Sequence, residues 1–246
     1  MKTCIGKVQN MYDKYRSHLI RELGQELIDA SNINIRTIAS KIEEIGFSCL
    51  TCGKCCRCIF GDNRVLLTPL EIQVIANRTG NIVHEIATPA TPDDPEITNL
   101  IDTGGRIHTF GWMLVRKNNG DCNFIESADI SNRCRIYDVR PMLCRTYPFY
   151  IQDMELHTSE CEGLGQEITP EESLKIARDV IDRYVAEIGD TIALYEKFEG
   201  FDASLESVVI TTSPADGKRH VTYIVHDSEG SHKAIVELNG GTNFID

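Results

Sequence analysis

Five cysteines fall within the ten residues from Cys49 to Cys58. Cys49, Cys52 and Cys55 form C-x2-C-x2-C, and Cys56 follows directly. Each two-residue spacer lets a pair of thiolates turn toward one centre. The repeat adds a third, as in the cysteine runs that hold cubane iron–sulfur clusters. A structural zinc site needs only four ligands, commonly supplied as two separated C-x2-C pairs. The doublet Cys55-Cys56 is a further signal. Neighbouring side chains diverge from the backbone, so a doublet suits a loop that feeds two sites, or one that holds a thiol beside a cluster. Cys122, Cys134, Cys144 and Cys161 follow at longer range. With Cys49, Cys52, Cys55 and Cys56 they make eight thiols, enough for two four-thiolate sites. Cys4 and Cys58 stand outside this set. The predicted cofactor is an iron–sulfur cluster, one or two, most simply [4Fe-4S], with zinc as the alternative.

The competing use of so many cysteines is disulfide bonding, which needs an oxidising compartment. The N-terminal MKTCIGKVQNMYDKYRSHLI carries charges that interrupt any apolar core, so it does not read as a secretory signal. No run reaches transmembrane length. A cytoplasmic setting is therefore expected, where clustered cysteines are metal ligands rather than bridges. Thiolate clusters are strongly negative, and Arg133, Arg135, Arg140 and Arg145 are placed to offset them. Arg140 and Arg145 are expected just outside the ligands, Arg145 nearer the metal because it directly follows Cys144. An ion pair of Arg140 with Asp138 or Glu160 competes with that role. Lys54 reads as plain surface charge. His157, four residues before Cys161, could bond a cluster sulfur, although an exposed histidine is the simpler reading.

The elements that position these residues give an α+β fold class. Helices surround a cysteine-rich, loop-dominated metal core with short hairpins and a C-terminal antiparallel meander. Val8, Met11, Tyr15, Leu19, Leu23, Leu27 and Ile28 recur at helical spacing across residues 8–30. A second helix is predicted from Ile35 to Ile45, ended by Gly46 at the mouth of the cysteine loop. Thr68-Pro69-Leu70-Glu71 and Thr169-Pro170-Glu171-Glu172 are capped helix starts, each with proline in the first turn. Residues 87–95 read as a loop, and Ile107–Val115 as a strand containing Trp112. Asn118-Asn119-Gly120 supplies a hairpin turn that leads back to Cys122. Pro141 and Pro148 fix the backbone on either side of Cys144. Ser207–Thr212, His220–His226 and Lys233–Leu238 alternate as three antiparallel strands. The expected divisions are 1–45, helical; 46–166, the metal domain; 167–200, a capped helix; and 201–246, strands that cover the core or dock a partner.

The chain of 246 residues carries a net charge of −12. That charge argues against nucleic acid and anionic membrane as main partners, since both select basic surfaces. No phosphate loop, G-x-S-x-G elbow or H-E-x-x-H occurs. The cysteine pattern, with Arg140-Pro141, Cys144-Arg145, Tyr147-Pro148-Phe149 and Cys161-Glu162-Gly163-Leu164-Gly165, resembles the YkgJ cysteine-cluster family, described as a zinc- or iron-chelating domain. Flagellin lysine N-methylases share a related pattern. The resemblance covers roughly residues 46–166 and implies metal binding with the eight cysteines as ligands. It implies no single reaction, and Cys58 is an addition to the pattern.

Three functions follow. The first is an iron–sulfur protein that is redox-responsive, regulatory or electron-transferring, and not itself an enzyme. It would act within a larger protein complex, with an anaerobic methyl-transfer or redox enzyme complex as the place to look. The second is an enzyme whose cluster is the active site. The third is a zinc-stabilised interaction module.

Overall fold

The computed structural model describes residues 2–60, 64–90, 100–127, 132–204, 208–214 and 217–238. In chain order its elements begin with α1 (Lys2–Ser31), α2 (Ile35–Ile45), β1 (Leu66–Leu67), α3 (Pro69–Thr79), α4 (Val83–Ile86) and β2 (Ala87–Pro89). They continue with β3 (Ile101–Asp102), β4 (Ile107–Phe110), β5 (Trp112–Leu114), β6 (Ile125–Ser127), β7 (Asn132–Cys134) and α5 (Met142–Thr146). Last come β8 (Phe149–Gln152), β9 (Glu155–Thr158), α6 (Pro170–Lys197), β10 (Ala203–Ser204), β11 (Ile210–Thr212), β12 (Arg219–Asp227) and β13 (Gly230–Glu237). The class is α+β. Among the described residues no helix is long and apolar enough to cross a membrane.

The chain divides into two units. The first comprises Met1–Val65 and Arg116–Glu196, and holds the cysteine loop and the four remote cysteines. In α2, Asn34 Oδ1 accepts from Arg36 N at 2.9 Å, so an asparagine caps the helix start. Ile38 and Ile42 are one turn apart and buried. They pack with Ala177 and Val180 of α6 and with Phe149 and Ile151 of β8. Full burial of an Ile or Phe side chain is worth roughly 1.5–3 kcal/mol. These few residues therefore anchor α2, α6 and the β8–β9 hairpin to one another. Polar ties reinforce the stack: Ser173 donates to Glu43 at 2.6 Å and Tyr184 to Glu26 at 2.5 Å. Thr169 and Glu172 exchange capping bonds at the start of α6, as the sequence predicts.

The second unit comprises Leu66–Val115 and Lys197–Asp246. Thr68 and Glu71 close a full capping box on α3, and Gly80 ends that helix in the left-handed region. β1, β5 and β2 form one antiparallel sheet. The larger sheet runs β10-β3-β4-β12-β11, with β13 also on β12. Its β11–β12 and β12–β13 pairs are antiparallel, as the alternation predicts. The predicted meander is not a separate layer, however, because β12 also runs parallel to β4 (Val225 opposite Thr109). The sheet thus joins the C-terminal strands to residues 101–110, inside the span assigned to the metal domain. Alternation fixes which face of a strand is apolar, but it does not say which strand lies beside it.

Two local differences have clear causes. The strand expected over Ile107–Val115 is broken at Gly111, whose φ of 86° turns the chain from β4 into β5 and so from one sheet to the other. Ala87–Pro89, read as loop, pairs with β5. Proline is tolerated there because β2 is the end strand of its sheet. The remainder of the 87–95 loop lies outside the described residues from position 91, as do Ser207 and part of the Pro214–Gly217 turn.

Candidate metal centre

The cysteine loop leaves α2 at Gly46 and is laid against the segment that carries Cys161. Ser48 N donates to Gly163 O at 3.0 Å, and Gly165 N donates to Gly46 O at 3.0 Å. Gly163 is required there, since a Cβ would lie 2.2 Å from the Ser48 carbonyl oxygen. Lys54 and Glu162 form an exposed ion pair across the same contact. These bonds bring Cys161 beside Cys49 and Cys52. Cys161 Sγ accepts from Gly163 N at 3.4 Å. Burial raises the Cys161 thiol pKa, and the neighbouring charges of Cys55, Cys52 and Cys49 raise it further.

The loop then makes a 3-10 turn at Lys54–Cys56, after Gly53 in the left-handed region. This turn sets the two sulfurs of the doublet side by side, against the divergence expected of neighbouring side chains. Cys122 N donates to Cys56 O at 2.8 Å, so the segment after the Asn118-Asn119-Gly120 turn is strapped to the doublet. The expected hairpin there is reduced to a single bridge, Arg116 to Cys122. Ile125 N bonds back to Cys122 O, and Ile125 pairs with Cys134 across β6–β7. Cys144 sits on the short helix α5. Thr146, at the end of that helix, is buried and accepts from Arg183 of α6 at 2.6 Å.

The electrostatics follow this layout. Cys56 feels Cys122 and Cys144, Cys122 feels Cys134, and Cys144 feels Cys122, Cys55 and Cys134. Burial is the leading cause that raises the Cys122, Cys134 and Cys144 thiols. Cys55 and Cys56 lie Sγ to Sγ at 3.9 Å. Their hydrogen bond lowers Cys55 to about 7 and drives Cys56 upward. Cys161 feels Cys55, Cys52 and Cys49, whereas Cys56, Cys122, Cys134 and Cys144 act on one another, and Cys55 acts on members of both sets. Among the described residues no three His, Cys, Asp or Glu side chains close on a single-ion position.

The charge of Arg140 lowers Cys55, Cys134 and Cys144, and that of Arg135 also lowers Cys134. Arg140 stacks on Tyr137 at 3.7 Å and donates to the Tyr137 carbonyl. Arg145 is exposed. Arg135 donates to Asn123 O and lies near Glu126. The side chains of Cys4 and Arg133 lie outside the described residues. His157 is exposed and stacks on Tyr150. Cys58 is exposed; its Sγ lies 3.3 Å from Gly120 O and 3.4 Å from an Arg116 nitrogen. Two residues that matter here were not singled out from sequence. Arg183 holds α5 from thirty-seven positions away. Tyr147, pushed up to about 12 by burial and then by the charges of Cys161, Cys55 and Cys52, borders the first thiol group. The Tyr147-Pro148-Phe149 run was a signal for it.

Residues 48–162 match the CxxCxxCC family model, described as "Putative zinc- or iron-chelating domain". The match spans all eight cysteines. It does not bear on the pattern shared with flagellin lysine N-methylases. No curated protein and no solved structure matches the chain.

Proposed function

We propose, on the match of residues 48–162 to the CxxCxxCC model of a zinc- or iron-chelating domain, that the first unit holds two four-thiolate centres filled as iron–sulfur clusters. Cys49, Cys52, Cys55 and Cys161 serve one centre, and Cys56, Cys122, Cys134 and Cys144 the other. The observation that supports this reading is the pair of backbone straps, Ser48 to Gly163 and Cys122 to Cys56, which tie the cysteine loop to the segments carrying Cys161 and Cys122. The donor set suits the group, because eight thiolates satisfy two cubanes with one cysteine per iron. A cubane does not require three sulfurs around one ion. When bound, the clusters supply one-electron redox chemistry.

The chain's own residues do the rest. Arg140 lends positive charge to the second thiol group, and the Gly163 N–H bonds the Cys161 sulfur. Both favour thiolate over thiol and the more negative, reduced cluster. The protein then serves as an electron-transferring or redox-responsive component of a larger enzyme complex in the cytoplasm. Its net charge of −12 suits a basic partner face. The eight-residue strand β13 pairs, among the described residues, with β12 alone, which leaves an edge for such a partner.

Protein prepared without oxygen tests this reading by iron, zinc and acid-labile sulfide analysis with a visible spectrum. A brown protein with about eight irons and eight sulfides per chain is expected. A colourless protein with zinc and no sulfide overturns the cluster reading in favour of a zinc module.

A further inference from the structure

The second unit contains a hydrogen-bonded chain that the metal chemistry does not use. Asp102, His108, His226 and Asp227 are all more than nine-tenths buried. Asp102 Oδ1 accepts from Gly104 N at 2.8 Å and Arg106 N at 3.1 Å. Its Oδ2 accepts from Arg106 Nε at 2.6 Å and faces His108 Nε2 at 3.1 Å. His108 Nδ1 meets His226 Nε2 at 2.8 Å, and His226 Nδ1 meets Ser231 Oγ at 2.8 Å. Ser231 is exposed and sits on β13 directly opposite His226 on β12.

With Asp102 ionised and both imidazoles neutral, a single set of proton positions satisfies these contacts. Burial opposes ionisation of Asp102, but the bonds from Arg106, His108 and Gly104 outweigh it and hold the carboxyl below its usual range. An ionised carboxylate only accepts, so His108 Nε2 carries hydrogen. In a neutral ring Nδ1 is then bare and accepts from His226 Nε2–H. That leaves His226 Nδ1 bare, and it accepts from the Ser231 hydroxyl. Burial and then His108 lower His226 to about 4, so it is neutral and able to accept near pH 7. Phe201 stacks on His108 at 3.6 Å, and Phe198 packs edge-on to His226 at 4.7 Å, which locks both rings. Asp227 is engaged elsewhere, by Trp112 Nε1 at 2.7 Å and His232 Nε2 at 2.9 Å.

A buried histidine with its tautomer fixed, bonded to an exposed hydroxyl, is the arrangement that activates a serine. We propose that Ser231 is a nucleophile with His226 as its base, acting on carboxylic esters or thioesters. In the step, Ser231 Oγ bonds the acyl carbon as its proton passes to His226 Nδ1. The acyl bond to the alcohol or thiol breaks, and that leaving group takes the proton back from His226. Water reverses the sequence and releases the acid. His108 and Asp102 are positioning residues that act through His226.

A fluorophosphonate probe tests the assignment on the full chain. Ser231 Oγ would bond phosphorus, fluoride would leave, and His226 would take the proton. One label per chain at Ser231 is expected by peptide mass, and none in Ser231→Ala. His226→Gln, with its fold checked by circular dichroism, is expected to slow labelling by about 100-fold or more. The wild-type rate is expected to stay flat from about pH 6 to about pH 8, because His226 is neutral throughout. An unactivated hydroxyl would instead gain about tenfold per pH unit through its alkoxide. His108→Gln is expected to slow labelling and to remove the flat profile. Absent labelling, a label that persists in Ser231→Ala, or a wild-type rate that climbs tenfold per unit overturns the proposal. The pH profile decides even where a histidine variant fails to fold.

Discussion

Arg140 acts on three thiols, Cys55, Cys134 and Cys144, while its guanidinium is held on the face of Tyr137. Replacing it with glutamine removes the charge and leaves the ligands in place. Arg140→Gln is expected to lower the reduction potential of one centre by roughly 50 mV, about 1 kcal/mol for one electron, with metal content unchanged. Electrochemistry on the two proteins checks this; Arg145→Gln, at an exposed position, should change the potential less. The raised thiols give a second expectation. Cys122, Cys134, Cys144 and Cys161 all titrate above the ordinary thiol value of 9.0, chiefly through burial. Below that value the folded and unfolded metal-free chains both keep these protons. Above it the unfolded chain loses them first, so the metal-free protein is destabilised as pH rises past about 9. Metal binding must expel the same protons, so its affinity rises with pH. Metal uptake measured from about pH 6 to about pH 8 should therefore increase. The eight cysteines were legible in the sequence because residue type and spacing carry their chemistry. Arg183 acts through a contact between distant segments, which no local pattern encodes.

Single elements hold the site in register. Helix α5 is only five residues long, too short to be stable by itself. Its end is held by Arg183, which donates to Thr146 Oγ1 and to Phe149 O, and which pairs with Glu187. Arg183→Met keeps the aliphatic stem and removes the charged bonds. Denaturant unfolding should show a loss of about 2 kcal/mol, since a hydrogen bond to a charged group is worth ~1.5–3 kcal/mol. Thr68→Ala should cost about 1 kcal/mol in the same measurement through loss of the α3 cap. The two caps at Thr68 and Thr169 were readable because a capping box is a four-residue signal with a local mechanism. The end of α2 at Gly46 was readable for the same reason. β4 and β5 were not readable as two strands, because Gly111 ends one sheet and begins another within a single apolar run.

At the scale of the molecule, each unit is assembled from two separated stretches of chain. A reading in sequence order cuts the chain into consecutive blocks, so it put residues 66–115 with the cysteines. What draws them away is pairing: β12 sits between β13 on one edge and β4 and β11 on the other, with Val221 and Val225 fully buried. A chain ending at Phe198 removes that central strand. It should lose the folded second unit, seen as aggregation or as loss of strand signal in circular dichroism, because β4 is left without its parallel partner. The thiols all lie in the first unit, so the metal per soluble chain should stay near the full-length value.

The central claim, two centres divided at the Cys55-Cys56 doublet, is tested most directly by metal content in two single variants prepared without oxygen, Cys161→Ala and Cys134→Ala. Each removes one ligand from a different group. Each is expected to keep about half the metal of the unsubstituted protein, and the double variant to keep almost none. Full metal in both single variants, or complete loss in either one, would contradict two independent centres and leave a single shared site.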